Sequence, residues 1–272
     1  MYMNELVEVL RYLFLGLFQG FTEPIPVSSS GHLVILRELL DMNDPGITFE
    51  AFINFGSLIA VVIIYRKDIW QLMINSSHYL IKREENTQQD FYYLFLLFIA
   101  TIPAGVIGVL FNDTISGISE HVKIVGVTLI LTAIALWIIR NLKGYKGDAE
   151  ITLTDAVIVG FAQSLALIPG ISRSGATIVA AMLIGFNRRS ALKFSFLMYI
   201  PVSIGTMIFA VSDVLSTPEL SNQFVLYLIA LVATIVASYF ALLLFINVMT
   251  AGKLKYFAYY CMAVGALVVI FL

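Results

Sequence analysis

Cysteine is nearly missing from this chain: Cys261 is the only one in 272 residues. A single thiol excludes a disulfide framework and a cysteine-based metal site. Charge is scarce too, at 12% of residues against roughly 25% in soluble domains. It is not gathered into a basic block, and the net charge is −2, so no nucleic-acid partner is expected. The first residues lack a basic n-region and a small-residue cleavage site, which argues against a removable signal peptide. What is present is apolar. Hydrophobic residues make up 60% of the chain and mean hydropathy is +0.92. This is the composition of an integral membrane protein, and the long apolar runs point to helices rather than a barrel.

Against that background, residues 19–32, QGFTEPIPVSSSGH, concentrate polar and ionisable groups. Gln19 and Glu23 are four apart, so a helix places them on one face. Pro24 and Pro26 stop that helix. Residues 163–177, QSLALIPGISRSGAT, echo the stretch: Gln19 aligns with Gln163 and Gly31 with Gly175, both 144 residues apart. Ser28, Ser29 and Ser30 then fall on Ser172, Arg173 and Ser174.

Short apolar pieces at 5–20 and 33–40 flank the first break, and neither reaches the ~20 residues of a full span. They read as a re-entrant hairpin, with one broken span as the alternative. Full spans are expected at 48–65, 91–111 and 122–139, with a polar loop at 66–90. The charged, glycine-containing stretch 140–152 separates two halves, 1–145 and 146–272. The second half repeats the order, with short pieces at 153–168 and 176–186 and spans at 191–211, 224–247 and 256–272. The expected fold is all-α: six transmembrane helices and two re-entrant hairpins in an inverted-topology repeat. Loop charge agrees. Arg66, Lys67, Lys82, Arg83, Arg140, Lys143, Lys146, Arg188, Arg189, Lys193, Lys253 and Lys255 fall on one face, and Arg11, Arg37 and Lys123 on the other. The first face is therefore assigned to the cytoplasm, with both termini outside.

Each hairpin tip opens a short helix, whose free N–H groups and partial positive charge favour an anion. Ser29 is expected as the N-cap of the first, with His32 at N3. Arg173 adds a fork suited to phosphate oxygens. Glu23 and His32 offer acid–base or metal-ligand chemistry, and the serines are nucleophiles if a base activates them. Together these suit phosphoryl transfer. Blander readings stand beside this one. Glycines and serines in membrane helices serve close packing, and Glu23 with Arg173 forms a buried ion pair without chemistry. His78 and His121 read as solvated, while Glu50, Asn54 and Gln163 read equally as helix-packing or substrate contacts.

TEPIPVSSSGH and PGISRSGAT, with TFEAFINFGSLIAVV at 48–62 and FSFLMYIPVSIG at 194–205, resemble the bacterial undecaprenyl-diphosphatase family, also called bacitracin-resistance proteins. The resemblance runs over the whole chain. It implies removal of the terminal phosphate from a C55 polyprenyl diphosphate, which regenerates the lipid carrier of wall precursors, and a divalent cation, Mg²⁺ or Ca²⁺. It implies Ser29 as nucleophile with His32 as its partner, Glu23 as catalytic carboxylate and metal ligand, and Arg173 as a catalytic and substrate-binding residue. Gln19, Ser28, Ser172, Ser174 and Thr177 would complete the substrate site. Gln19 stands where many members carry Glu, so one carboxylate replaces two. Pro24 stands where an aromatic is common. The implied partners are the prenyl diphosphate and the lipids of a bacterial plasma membrane, and a homodimer is left open. A carrier or flippase of polyprenyl phosphates is the rival, since half-helices at the midplane also build transporters.

Overall fold

In the computed structural model the described residues are 2–40, 47–111, 115, 117–118, 121–216 and 224–272. They form helices and turns, with one isolated β-bridge between Lys146 and Phe186. In chain order the helices are α1 (Tyr2–Thr22), α2 (Ser29–Leu40), α3 (Ile47–Lys82), α4 (Gln88–Leu110), α5 (Val122–Ile139), α6 (Leu153–Leu165), α7 (Arg173–Leu183), α8 (Arg188–Ser216), α9 (Phe224–Thr250) and α10 (Lys255–Phe271). Five segments are long and apolar enough to cross a membrane: Phe49–Lys82, Glu85–Leu110, Val122–Ile139, Arg188–Ile208 and Phe224–Thr250. The sixth expected span is helical, but α10 has 17 residues, roughly 26 Å at 1.5 Å per residue.

Two stretches differ from expectation. The first apolar piece is not short, because α1 runs 21 residues through Glu5, Glu8 and Arg11. Those charges sit on an amphipathic helix, whose Leu6, Leu10, Phe14, Leu17 and Phe21 form an exposed apolar stripe. Nor is 66–90 a loop. α3 continues to Lys82, since the segment holds no Gly or Pro and turns Ile69, Leu72 and Ser76 inward at helical spacing. The chain leaves the helix at Arg83, which takes the left-handed conformation with φ of 57°.

Helices meet where side chains are smallest. A Cβ on Gly16 would lie 2.3 Å from the Ala230 carbonyl oxygen, so α1 and α9 touch backbone to backbone. Thr234 Oγ1 donates across that crossing to the Gly16 carbonyl at 2.9 Å. Gly160, 144 residues after Gly16, makes the same approach from α6 to Ala100 of α4 at 2.5 Å. A third crossing joins Gly126 of α5 to Gly265 of α10. Lipid tails are as apolar as these side chains, so close approach and interhelical hydrogen bonds carry the association.

The second hairpin tip, residues 166–172, needs partners for its backbone inside an apolar chain. α5 supplies them: Thr128 Oγ1 donates to the Pro169 carbonyl at 2.7 Å and Thr132 Oγ1 to the Gly170 carbonyl at 3.1 Å. Thr132 Oγ1 also accepts from the Ser172 N–H at 3.3 Å. Gly170 has φ of 90°, and a Cβ there would lie 1.9 Å from Thr128 Oγ1. Gly170→Ala is expected to destabilise by about 2–5 kcal/mol, from left-handed strain plus overpacking. Thermal unfolding in detergent checks it against Gly105→Ala, a position with no atom within 4 Å. Equal midpoints for the two variants would remove this account of the tip.

Before α6, Lys146 pairs with Asp155 at 3.0 Å, and Asp155 closes a capping box with Thr152 at the start of that helix. Burial alone would raise the Asp155 carboxyl. The Thr152 N–H, the Lys146 ammonium and the Thr152 hydroxyl outweigh it and hold the group below the ordinary carboxylate range. Lys193 bridges Asp68 and Asp148 at 2.9 and 3.0 Å, tying α3, α8 and the 140–152 stretch together.

Candidate active site

The two breaks close with the same kind of cap on different backbones, since Ser172 is extended with φ of −70°. Ser28 takes φ of 66° and its Oγ accepts from the Gly31 N–H at 3.3 Å. Ser172 Oγ accepts from the Gly175 N–H at 3.1 Å. The N-cap of α2 is therefore Ser28 and not Ser29. Capping requires the residue just outside the helix, and α2 already begins at Ser29. The correction matters because it frees the Ser29 hydroxyl and moves His32 to N4. The tips then meet: a Cβ on Gly31 would lie 2.8 Å from the Gly170 Cα, and one on Gly175 would lie 3.5 Å from Pro26 Cβ.

At this meeting point Glu23 gathers three donors. Its Oε1 accepts from Arg173 Nη2 at 2.7 Å. Its Oε2 accepts from Gln19 Nε2 at 3.2 Å and, in a very short hydrogen bond, from Ser29 Oγ. The pair is buried, with side chains 10% and 15% exposed for Glu23 and Arg173. The Arg173 guanidinium carbon sits over the Tyr199 ring, 3.6 Å from its centroid. Tyr199 is held in turn, its hydroxyl donating to the Asn54 backbone carbonyl at 2.8 Å and to the Asn54 side-chain oxygen. One arm of the fork is thus spent on Glu23. The other, Nη1, is buried and has no protein partner, as is Gln19 Oε1. An unpaired buried donor on a cation is costly unless a ligand takes it.

The remaining predicted residues divide. His32 stands one turn along α2 from Ser29, but its ring does not bond that hydroxyl. Nδ1 lies 2.8 Å from the Ser28 carbonyl and Nε2 lies 2.9 Å from the Tyr260 hydroxyl. Ser172 is spent on the cap. Thr177 Oγ1 donates to the Arg173 carbonyl at 2.9 Å and meets Ser195 Oγ, which seats the first turn of α7 on α8. Ser174 Oγ sits 3.4 Å from Ser172 Oγ, and Ser28 Oγ sits 3.5 Å from Ser30 Oγ. Gln163 is buried with both amide atoms unpartnered and is not joined to Glu23. Glu50 pairs with Arg37, and His78 lies 3.7 Å from Glu84 at the surface.

Nothing in the sequence marks Tyr199 and Tyr260 as chemical residues, and Asn54, read as a packing or substrate contact, instead holds the Tyr199 hydroxyl. Tyr199 lies inside FSFLMYIPVSIG, but nothing in its spacing marks it as a platform for Arg173. Among the described residues no group of three or more His, Cys, Asp or Glu side chains gathers to hold a metal alone. The hard-oxygen donors that do converge are the Glu23 carboxylate and the unpartnered Gln19 Oε1. They suit a hard cation only if phosphate oxygens complete its shell.

Fold and site together define a multi-pass helical membrane protein with a buried carboxylate–guanidinium pair where two hairpin tips cross. The chain matches the family described as bacitracin resistance protein BacA over residues 12–267 and belongs to it. It is 53% identical over 270 residues to an undecaprenyl-diphosphatase 1 of Bacillus cereus, covering 99% of this chain and 100% of that protein. An undecaprenyl-diphosphatase of Oceanobacillus iheyensis is 50% identical over 266 residues, 97% of each chain. One from Halalkalibacterium halodurans is 48% identical over 265 residues, again 97% of each.

Proposed function

We infer that this protein is an undecaprenyl-diphosphatase, hydrolysing a C55 polyprenyl diphosphate to the monophosphate and inorganic phosphate. Family membership and full-length relatives of that name support the activity. The observation that carries the chemistry is the Arg173 fork, half bound to Glu23 and half open, beside a serine whose hydroxyl already points at a carboxylate. Arg173 Nη1 takes an oxygen of the diphosphate, and the N-termini of α2 and α7 add partial positive charge. Ser29 Oγ attacks the terminal phosphorus as its proton passes to Glu23. The Oγ–P bond forms, the anhydride P–O bond breaks, and the lipid monophosphate leaves. Water then attacks the phosphoserine with its proton passing to His32, the P–Oγ bond breaks, Ser29 Oγ takes its proton back from Glu23, and inorganic phosphate is released. Ser28 and Ser172 hold the two tips, while Ser174 and Thr177 set the first turn of α7 that carries Arg173. A divalent cation held by Glu23, Gln19 Oε1 and phosphate oxygens would supply neutralisation of the diphosphate charge.

Phosphate release from C55 and C15 diphosphates by the purified protein, with and without EDTA, tests the reading; a pure lipid carrier releases none. Gln19→Glu adds the second carboxylate common in the family. It is expected to lower the half-saturating metal concentration about tenfold while retaining turnover, since each added charged ligand tightens an oxygen site. A metal titration followed by phosphate release checks this, and an unchanged midpoint would exclude position 19 from the cation.

The inverted repeat, with halves at 1–145 and 146–272, six crossings and a plasma-membrane location, belongs to the same proposal. Its support is the exchange of partners, α1 of the first half packing on α9 of the second and α6 of the second on α4 of the first. The bias of positive charge assigns the C-terminal end of α3 and the turn after it to the cytoplasm. In a Cys261→Ala background, Ser77→Cys is expected to react with an impermeant thiol reagent only after permeabilisation. Labelling in intact cells would reverse the orientation. Ser221, the natural reporter for the other face, lies outside the described residues.

A further inference from the structure

We propose that Tyr260, on the last helix, is the positioning residue for His32. The proposal rests on the reading of His32 as the acid–base group.

The argument begins with what each ring nitrogen meets. The Ser28 carbonyl can only accept, so Nδ1, at 2.8 Å from it, carries the proton. In the neutral ring Nε2 is then the acceptor, and the Tyr260 hydroxyl at 2.9 Å donates to it. One tautomer is thereby selected, and its basic lone pair on Nε2 is held by the Tyr260 hydroxyl, which turns from it when His32 takes a proton. The ring plane is set as well: Tyr260 stacks on His32 at 9° with centroids 5.5 Å apart, and Phe18 of α1 closes the other direction at 6.1 Å. The carbonyl that selects the tautomer is itself aimed by an unusual backbone, since Ser28 is a non-glycine residue at φ of 66°. The described contacts of the ring are these three residues and the Val27 backbone, and none of them carries a charge. His32 is 5% exposed and Tyr260 is 44% exposed, so the tyrosine lies on the outer side of the imidazole.

A hydroxyl on a half-exposed membrane helix needs a partner, and mutual satisfaction would explain the hydrogen bond without any catalytic consequence. The two accounts differ in what Tyr260→Phe does. That variant keeps the stacked ring and removes only the donor. If Tyr260 positions His32, kcat falls about tenfold with KM unchanged, a fraction of the 10²–10⁴ that acid–base groups contribute. The loss is also not repeated in the His32→Ala background, because both changes act through one group.

The test is nitrogen-15 NMR of the imidazoles in detergent-solubilised full-length protein, combined with phosphate-release kinetics. The chain has three histidines, so His78→Gln and His121→Gln isolate His32. The expected spectrum shows a protonated Nδ1 and a hydrogen-bonded, unprotonated Nε2. In Tyr260→Phe the Nε2 resonance moves to that of a nitrogen without a donor. An unchanged His32 spectrum in Tyr260→Phe overturns the assignment of Tyr260. So does an equal fold-loss from Tyr260→Phe in the presence and absence of His32. Full turnover in His32→Ala overturns the acid–base reading beneath it, and the spectrum separates the two failures.

Discussion

Arg173→Lys is expected to lower turnover of the prenyl diphosphate at least about 100-fold, the range seen when one preorganised donor to a developing oxyanion is lost. The charge survives the change, but the geometry does not. Arg173 uses one arm for Glu23 at 2.7 Å and leaves Nη1 for the substrate, while its guanidinium carbon sits over Tyr199. An ammonium is a point donor on a flexible stem. It can reach the carboxylate or the phosphate, but it cannot hold both in fixed relation. Folding should be little disturbed, because the lysine still neutralises Glu23. The measurement is kcat/KM with C15 and C55 diphosphates beside the thermal midpoint of each protein. Near-normal turnover in Arg173→Lys would exclude two-armed recognition and leave Arg173 as a buried counter-ion.

Ser29→Ala is expected to cost about 10³-fold or more in kcat, as does removal of either member of a nucleophile–base unit. Glu23→Gln should cost a comparable factor, because Ser29 Oγ donates to that carboxylate and an amide cannot take its proton. The double variant should be little worse than either single one. Multiplicative losses would mean that Glu23 and Ser29 act separately. Glu23→Gln also leaves the Arg173 charge uncompensated, a cost of about 3–5 kcal/mol for a broken buried pair, so the thermal midpoint must accompany its kinetics. Ser29→Ala carries no such cost and is the cleaner variant. Nearly full turnover in it would shift the attack from serine to water.

Much of this molecule is legible in its sequence because hydrocarbon is an exacting solvent. Apolar runs of sufficient length form helices there, which places α4, α5, α8, α9 and the start of α3 within about five residues. Pro24, Pro26, Pro169 and Gly170 break the chain where an internal hydrogen bond is impossible or φ turns positive, so the short helices around both breaks are readable as well. The end of α3 is not. Turns carrying Asp68 and Asn75 look like loop to a hydropathy count, yet they remain helical because Ile69, Leu72 and Ser76 still pack.

At the site, Gln19, Glu23, Ser29 and Arg173 stand out in the sequence because charge and hydroxyls are scarce around them, and burying them in an apolar chain is costly. Their roles toward one another do not. Which serine caps α2 depends on a single φ at Ser28. Which base faces Ser29 depends on how the α1 helix ends before Pro24. The partners that lock the two cationic or basic groups come from distant helices, Tyr199 and Asn54 for Arg173 and Tyr260, 228 residues away, for His32. A tyrosine among 13 in a membrane protein has no local signature of such a task. The sequence therefore determines the helices and the reactive groups, through hydrophobic length and the cost of buried charge. Only the tertiary structure decides which groups share a hydrogen bond, because that depends on helix crossings set by Gly16, Gly160 and Gly126.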